Sequence, residues 1–321
     1  MKNTYNITYE PYLTESVIDF VHPDGVADKV SPRVPGEYKG NYDVHDKSAF
    51  IIPKSEPREG MKAANTVTRS IGSDSYETKN YPLRTPVTYD EIYKRGKLGK
   101  DAKVEASFFI TETMAKMREK RIADLIVNGA GTTATLSGAP SNDWDHQWDD
   151  EDNRQIFKCI RYHISQFIKK VHVAPSGFIC NPDIEFYIAT YAWDTRKEEG
   201  NVLGKNIGLD PTLPEKFMGM DVGIARMLHN TARPKASSSM SYIWGNTFIL
   251  YYVGSDPESR GPHASKTFDA GKDKGRVTGV SIAEYPGNAG ENGIYIEGQE
   301  DVAEKITCAD AIYVIDDILG G

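Results

Sequence analysis

The most regular apolar pattern in the chain lies between residues 101 and 128. Apolar side chains recur there at steps of three, four or seven residues, as on an α-helix that buries one face. No proline or glycine interrupts the stretch, Asp101 can cap its start, and Gly129 can end it. At ~1.5 Å per residue the helix is ~40 Å long, and we expect other elements to pack along it. Its predicted buried face consists of Val104, Phe108, Thr111, Ala115, Ile122 and Ile126, widened by Met114 and Leu125.

The patterns that follow this helix predict a mixed α/β unit. Residues 155–170 have the helical period, and residues 177–180 form a short apolar strand. A third helix begins at Pro182, with Asn181 as its cap. Further strands are predicted at residues 221–227, 241–244, 247–253, 277–285, 293–297 and 311–318. Gly245-Asn246 lies between two of these strands and is typical of a two-residue β-hairpin turn.

Residues 1–34 have no strong hydrophobic period and are interrupted by prolines. Residues 14–20 could form one short helix. Because such a stretch buries little apolar area against itself, we expect it to be either disordered or an arm lying on another surface.

Residues 35–100 form a long β-and-loop region with few residues suited to a core. Apolar and polar side chains alternate over residues 38–44, which is the period of a strand. Residues 81–92 predict another strand, but Pro82 and Pro86 restrict it to a sheet edge or a protruding ribbon. We therefore expect this region to find packing partners elsewhere, on another subunit.

The composition excludes several classes of protein. The 321 residues are enough for two or three compact units, and no apolar run is long enough to cross a membrane. The N-terminus lacks the apolar core of a signal peptide, so we expect no secretion. The three cysteines, Cys159, Cys180 and Cys308, are too scattered for a metal-binding spacing or a disulfide framework, and we predict that they are buried thiols.

The charge distribution does not indicate a nucleic-acid-binding domain. The net charge is −8, and the 18 tyrosines are a weak indication of contact surfaces. The basic residues 94–100 predict a solvated loop or, alternatively, a contact with an acidic surface of another chain. The acidic residues 143–152 lack the spacing and the glycine of a calcium loop, so we interpret them as a solvated segment.

One segment matches a sequence motif of dinucleotide-binding enzymes. Residues 129–134 match the dinucleotide fingerprint G-x-G-x-x-A, which requires a strand before it and a helix opening within it. Here the preceding residues end the long helix, and the following ones cannot begin another. His163 lies on the apolar face of a predicted helix, where a core histidine is a better interpretation than a general base. We therefore predict no catalytic, cofactor-binding or metal-binding residue, and no cofactor.

Several stretches resemble a known family. PRVPGEYKGNYDVHDK and SYETKNYPLRTPVTYDEI resemble the extended-loop region of the major capsid proteins of tailed bacteriophages, in the branch that keeps a separate scaffolding protein. EKRIADLI resembles the end of the family's spine helix. GFICNPDIEFYIAT, KFMGMDVGIARM, SYIWGNTFILYYV and KITCADAIYVIDDIL resemble successive pieces of its remaining domains. The matches extend over most of the chain, in the family's order.

The resemblance implies an α+β chain with the Hong Kong 97-type phage major capsid fold. Residues 1–34 would be the N-terminal arm and residues 35–100 the extended β-loop region. Residues 101–154 would hold the spine helix and the first part of the peripheral domain. Residues 155–290 would form mainly the axial domain, and residues 291–321 C-terminal strands that return to the core.

The implied function is that of a structural subunit of an icosahedral capsid, not of an enzyme. Copies would form hexamers and pentamers around double-stranded DNA without sequence-specific contact, in a virion assembled in the host cytoplasm. The other expected partners are a scaffolding protein, a portal and, in some relatives, a decoration protein, with no membrane. The side chains that we expect at contacts between subunits are Tyr38, Tyr42, Tyr81, Arg84 and Tyr89. Two alternatives remain, a shell protein of a cellular nanocompartment and a nucleotide-binding enzyme that uses Gly129 and Gly131.

Overall fold

The computed structural model describes residues 8–9, 11–17, 22–46, 71–97, 101–137, 144–199, 213–230, 239–258, 261–273, 279–288 and 290–320. Its helices are α1 (Pro11–Glu15), α2 (Ala27–Val30), α3 (Tyr89–Lys97), α4 (Ala102–Gly129), α5 (Ile156–Val171) and α6 (Pro182–Glu199). Its strands are β1 (Thr8–Tyr9), β2 (Arg33–Pro35), β3 (Lys39–Val44), β4 (Gly72–Glu77), β5 (Lys79–Thr88), β6 (Thr132–Thr135), β7 (Gly177–Cys180), β8 (Lys216–Phe217), β9 (Met220–Ile224), β10 (Leu228–Asn230), β11 (Met240–Tyr242), β12 (Phe248–Tyr251), β13 (Ser265–Asp269), β14 (Ser281–Pro286), β15 (Gly293–Ile306) and β16 (Ile312–Asp316).

The 14-residue strand β15 organises the first of two six-stranded sheets, which we call sheet I. The strand order is β1-β14-β15-β13-β2, and β5 also pairs with β15. Val302 pairs with Asp269 of β13 and with Lys79 of β5, so these two strands lie on opposite edges of β15. β14 and β13 therefore follow each other along one edge, while β5 covers the other.

The second six-stranded sheet, sheet II, has the order β6-β16-β12-β7-β9-β8 and mixes parallel and antiparallel pairs. Strands β7 and β12 are buried at every position, because helices and loops cover both faces. The apolar sides of α5 and α6 and the end of α4 pack into the same core. Chains that alternate strands and helices in this way form a layered α/β unit.

Helix α4 lies directly against sheet I because β15 carries a glycine at the crossing point. A Cβ atom on Gly298 would lie 2.5 Å from Ile110 Cγ2 and 2.8 Å from Met114 Sδ. The absence of a side chain there allows the helix to approach the strand closely. Ile110 and Met114 then join Val87 and Ile296 in a core between the helix and the sheet.

The predicted buried face of α4 was partly wrong. Phe108 is 41% exposed, whereas the most deeply buried positions include Ser107 and the charged residues Arg118 and Glu119. Hydrophobicity alone misplaced the face because Arg118 and Glu119 pair with residues of other elements, while the Ser107 hydroxyl donates to Lys103 O of the same helix. The limits of the helix were predicted well, since Asp101 Oδ1 accepts a hydrogen bond from the Lys103 N–H at 2.9 Å and Gly129 is the last helical residue.

The described part of residues 1–34 packs on its own chain, with β1, α1 and β2 against sheet I and α2 in the core beside sheet II. β1 pairs with β14, and β2 pairs with β13. The helix predicted at residues 14–20 begins earlier, as α1, and residues 18–20 lie outside the described residues. Leu13 and Val17 are buried beside α4, and the Ile282 N–H donates to Thr14 Oγ1 at 3.1 Å.

The predicted hairpin around Gly245-Asn246 was wrong. β11 pairs with β10, whereas β12 pairs with β7 and β16. The turn is instead held by other elements, because Asn181 Nδ2 donates to Gly245 O and Asn246 Nδ2 donates to Leu319 O, both at 2.9 Å. Asn181 also caps α6 as predicted, since its Oδ1 accepts from the Ile184 N–H at 2.8 Å.

Two other segments differ from the prediction. The strand expected at residues 81–92 ends at Thr88, whose Oγ1 accepts from the Glu91 N–H at 3.2 Å, and α3 begins at Tyr89. Part of the basic segment that was predicted to be a loop, residues 94–97, is therefore helical. Helices α5 and α6 and strand β7 begin within one residue of their predicted positions.

The carboxylate of Glu119 connects α4 to two distant segments. It accepts hydrogen bonds from the Val26 N–H at 3.1 Å, the Ala27 N–H at 3.1 Å and Trp244 Nε1 at 2.6 Å. The first two satisfy the free N–H groups at the start of α2. Burial raises the pKa of Glu119, and the three donors act in the opposite direction by stabilising the charged form.

We expect Glu119→Gln to lower the free energy of unfolding by about 3 kcal/mol, because an amide cannot accept all three bonds and its NH₂ faces a buried donor. Glu112→Gln is the matched control on the same helix. Its side chain is 46% exposed and pairs with Lys116 at 2.6 Å, so we expect a change within about 0.5 kcal/mol. Urea denaturation of the unassembled subunit measures both, and equal effects of the two variants would contradict this role of Glu119.

Candidate assembly surfaces

Strands β3 and β4 form a separate two-stranded ribbon. They pair antiparallel from Lys39 opposite Glu77 to Val44 opposite Gly72. Five of the six β4 residues are exposed, and the buried one is Tyr76. Because two paired strands alone are only marginally stable in water, the ribbon depends on what it packs against.

An aromatic cluster anchors the base of this ribbon to sheet I. The rings of Tyr76 and Phe268 stack with centroids 4.1 Å apart and planes 7° apart, and the Tyr42 ring lies 5.6 Å from that of Phe268. Tyr76 and Phe268 are buried with Val34 and Ala303. An apolar contact therefore fixes the ribbon at the Tyr76 end, and the rest of β4 is exposed. β3 is partly buried from Tyr42 to Val44, and the N–H of the buried His45 donates to Thr307 O at 2.8 Å.

Polar contacts hold the strands of the ribbon together. Glu77 Oε1 accepts from the Tyr38 hydroxyl at 2.9 Å and lies 3.0 Å from Lys39 Nζ. The Tyr42 hydroxyl donates to Asp74 Oδ2 at 2.9 Å. Desolvation and this hydrogen bond raise the pKa of Tyr42 to about 12. Exposed pairs of this kind contribute little stability, so they fix orientation more than they fix the fold.

Strand β5 gives sheet I a second exposed surface. From Asn80 to Thr88 every other residue of this strand is exposed, and Pro82 and Pro86 belong to that exposed set. Alternate residues of a strand direct their N–H groups to the same edge, so both prolines can occupy the edge away from β15. Arg84 belongs to the same set, with its guanidinium 5.1 Å from the centre of the Tyr295 ring.

Beneath the β5 surface lies a buried group of ion pairs that the hydrophobic pattern did not reveal. Arg121 Nη2 lies 2.5 Å from Glu300 Oε1, and its Nε lies 3.0 Å from Glu304 Oε1. Arg33 pairs with Asp269 at 2.5 Å and with Glu300 at 3.4 Å. Burial would lower the pKa of Arg121, but the neighbouring carboxylates outweigh it and raise the pKa. These contacts join β2, α4, β13 and β15.

Helix α3 carries a third exposed group, which is aromatic. Tyr89 is 51% exposed and Tyr93 is 65% exposed. Arg95 forms ion pairs with Glu91 on its own helix and with Glu105 on α4, and these contacts hold the two helices side by side. On α4, Phe109 is also 60% exposed. Clustered exposed aromatic side chains are more typical of contact surfaces than of free surfaces.

The predicted contact residues lie on these surfaces, and their contacts with other subunits stay a prediction. Tyr38 and Tyr42 lie on or beside the ribbon, Tyr81 and Arg84 lie on β5, and Tyr89 begins α3. Tyr81 has a partner within its own chain, since the Arg121 guanidinium lies 3.9 Å from the centre of its ring. Tyr38, Arg84 and Tyr89 are exposed. The buried ion pairs could not be predicted from residue type, because charged residues ordinarily indicate a solvated face.

The dinucleotide-like segment lacks the structural context of a phosphate site. The residues before it belong to α4, and β6 begins within it at Thr132, where a helix would have to open. Gly131 serves packing instead, since a Cβ atom there would lie 2.6 Å from Ala309 O.

Two other places could hold a small ligand or an ion. A cleft of about 280 Å³ lies at the base of the ribbon, between β3 and residues that include Lys266 and Phe268. Asp145, Cys159 and His163 bring three potential metal ligands together beside α5. Among the described residues, no helix combines the length and apolar character that a membrane crossing requires.

Comparison with solved structures shows which fold this is. The chain superimposes on a phage-related protein from Bordetella bronchiseptica RB50 with a TM-score of 0.69 and 15% sequence identity, covering 97% of this chain and 98% of that one. It also matches the capsid structure of cyanophage P-SCSP1u (TM-score 0.55, 8% identity, 89% and 85% covered) and the mature capsid of bacteriophage PhiM1 (0.55, 9%, 92% and 87%). No family model and no curated protein sequence matches the chain.

The match defines the class of fold. The chain is an α+β protein with the Hong Kong 97-type fold of phage major capsid proteins, as its sequence predicted. The similarity to the Bordetella protein extends over nearly the whole of both chains. At such low identities the shared feature is the fold, and functional residues cannot be transferred from one chain to another.

We expect Gly40→Ala to loosen the ribbon, because a Cβ atom there would lie 2.9 Å from the ring of Tyr76 and 2.8 Å from its hydroxyl oxygen. Displacing this ring should cost about 1–3 kcal/mol locally. Hydrogen exchange at the β3 and β4 amides should then be at least ~10-fold faster.

Gly72→Ala is the control on the opposite strand, since a Cβ there would meet Val44 O at an ordinary 3.5 Å. It should leave the exchange of the same amides nearly unchanged. Equal effects of the two substitutions would show that the Tyr76 contact does not anchor the ribbon.

Proposed function

We propose that this chain is the major capsid protein of a tailed bacteriophage, a structural subunit of an icosahedral shell. The observation that carries the proposal is the fold match over 97% of this chain, together with the match to two phage capsids. In this role many copies join as hexamers and pentamers around packaged double-stranded DNA. The virion is then the place where the protein acts, after assembly in the host cytoplasm.

The exposed surfaces support assembly with other copies. The ribbon exposes five of the six β4 residues, and the β5 edge and α3 expose Arg84, Tyr89 and Tyr93. Neighbouring subunits would cover these groups and give the ribbon a second packing partner. We therefore propose that Tyr38, Tyr42, Tyr81, Arg84 and Tyr89 lie at or near contacts between subunits.

The proposed partners follow from the same role. A separate scaffolding protein would guide assembly, a portal would occupy one vertex, and a decoration protein could coat the shell. The net charge of −8 suits a wall that encloses DNA without sequence-specific binding, because like charges limit adhesion.

A shell that encloses protein instead of DNA is a second candidate. The chain shares its fold with a virus-like particle protein from Pyrococcus furiosus, with a TM-score of 0.50, 14% identity, and 95% of this chain and 96% of that chain covered. The contents of purified particles distinguish the two candidates. Nuclease-protected DNA supports the phage capsid, whereas enclosed protein without a genome supports the nanocompartment.

A shortened ribbon tests the shell function. Replacing residues 43–73 by Asn-Gly joins Tyr42 to Asp74, which already pair, through a favourable two-residue turn. The aromatic base of the ribbon is retained, so the free subunit should still fold, with a lower melting temperature because the buried His45 and its bond to Thr307 O are removed. We expect this variant, co-expressed with the scaffolding protein, to form no closed particles by light scattering and electron microscopy. Normal particles from the shortened chain would contradict the proposed role of the ribbon.

A further inference from the structure

Three side chains of different chemistry converge beside α5. Cys159 and His163 are four residues apart on this helix and therefore lie on one face. Asp145 reaches the same place from the segment before the helix. One ligand atom from each residue lies within 4.8 Å of the others, and His163 Nε2 is 3.4 Å from Asp145 Oδ1.

The cluster contains a buried polar atom that lacks a hydrogen bond. His163 is 3% exposed, and its Nε2 makes no hydrogen bond with any described residue, although it faces the carboxylate of Asp145. Its other ring nitrogen, Nδ1, lies 3.0 Å from the hydroxyl of Tyr313. When Nδ1 carries the proton and donates it to Tyr313, the lone pair of Nε2 is directed towards the other two ligands. A lone pair and a carboxylate this close are stabilised by a cation between them.

We propose that Asp145, Cys159 and His163 form a zinc site that fastens the segment before α5 to the helix. Zinc binds carboxylate oxygen and imidazole nitrogen at about 2.0–2.2 Å and thiolate at about 2.3 Å, which places neighbouring ligands of a tetrahedron roughly 3.5 Å apart. The N–O separation of 3.4 Å has this size. Water completes the fourth position.

The surroundings suit a site of this kind. Tyr313, from β16 of sheet II, fixes the orientation of the His163 ring from behind, as the outer partners of metal-bound histidines do. Without metal, burial raises the pKa of the Cys159 thiol to about 12, so zinc binding releases its proton. The zinc site does not depend on the proposed shell function.

The first experiment uses the full-length chain without substitutions. The chelator-treated subunit is titrated with Zn²⁺ alone and examined by native mass spectrometry, and with Co²⁺ alone by absorption spectroscopy. We expect one ion per chain and, with cobalt, the charge-transfer band of a thiolate ligand. No uptake at excess metal would overturn the proposal.

Matched variants identify the ligands. Cys159→Ser should abolish the thiolate band, whereas Cys308→Ser, which alters another buried thiol, should leave both the band and the stoichiometry unchanged. Asp145→Asn is the milder variant, because Asp145 is only partly buried, and it should weaken zinc binding at least ~10-fold. Tyr313→Phe should weaken it by about 10- to 100-fold through the loss of orientation. Zinc binding that survives both Cys159→Ser and Asp145→Asn would place the ion elsewhere and refute the site.

Discussion

Charged side chains withdrawn from water constrain the second half of α4. Arg118, Glu119 and Arg121 leave the helix in different directions, towards Asp28, towards the start of α2 with Trp244, and towards β15. A buried charge that loses its partner is strongly destabilising, so each of these contacts restricts where its neighbouring segment can lie. The N-terminal segment, sheet I and the turn before β12 are thereby positioned relative to one helix. The close approach of β15 to α4 at Gly298 adds apolar contacts with Ile110 and Met114.

The ribbon follows a different principle, because its two strands are buried to different degrees: β4 is exposed except at Tyr76, whereas β3 is partly buried and leads to the buried His45. Tyr76 and Phe268 fix its base, and the polar contacts Lys39–Glu77 and Tyr42–Asp74 connect β3 to β4. A subunit built in this way keeps a rigid body and offers an extended element to another molecule. The aromatic residues Tyr89 and Tyr93 of α3 are also exposed. Exposed surfaces of this kind support the proposed role as a subunit that assembles with other copies.

Capping residues and hydrophobic period predicted the helices and strands well where long-range packing favours the same structure. The Asp101 and Asn181 caps, the limits of α4 and strand β7 were all predicted from residue type and period. Predictions failed where distant residues decide the outcome. The buried face of α4 was misplaced because Arg118 and Glu119 are satisfied by residues about ninety positions away. The hairpin at Gly245 was wrong because Asn181 and Leu319 hold the turn. The cluster of Asp145 with Cys159 and His163 escaped detection because its carboxylate comes from outside the helix.

The central claim is that other copies of this chain cover the surfaces left exposed in one subunit. Its most direct test is electron cryomicroscopy of the full-length protein, purified alone and after co-expression with its scaffolding protein. The account predicts closed icosahedral shells in which the β3–β4 ribbon lies over a neighbouring subunit and Tyr38, Arg84 and Tyr89 are buried at contacts. A subunit that stays monomeric under both conditions would contradict the account, as would shells in which the ribbon faces open solvent.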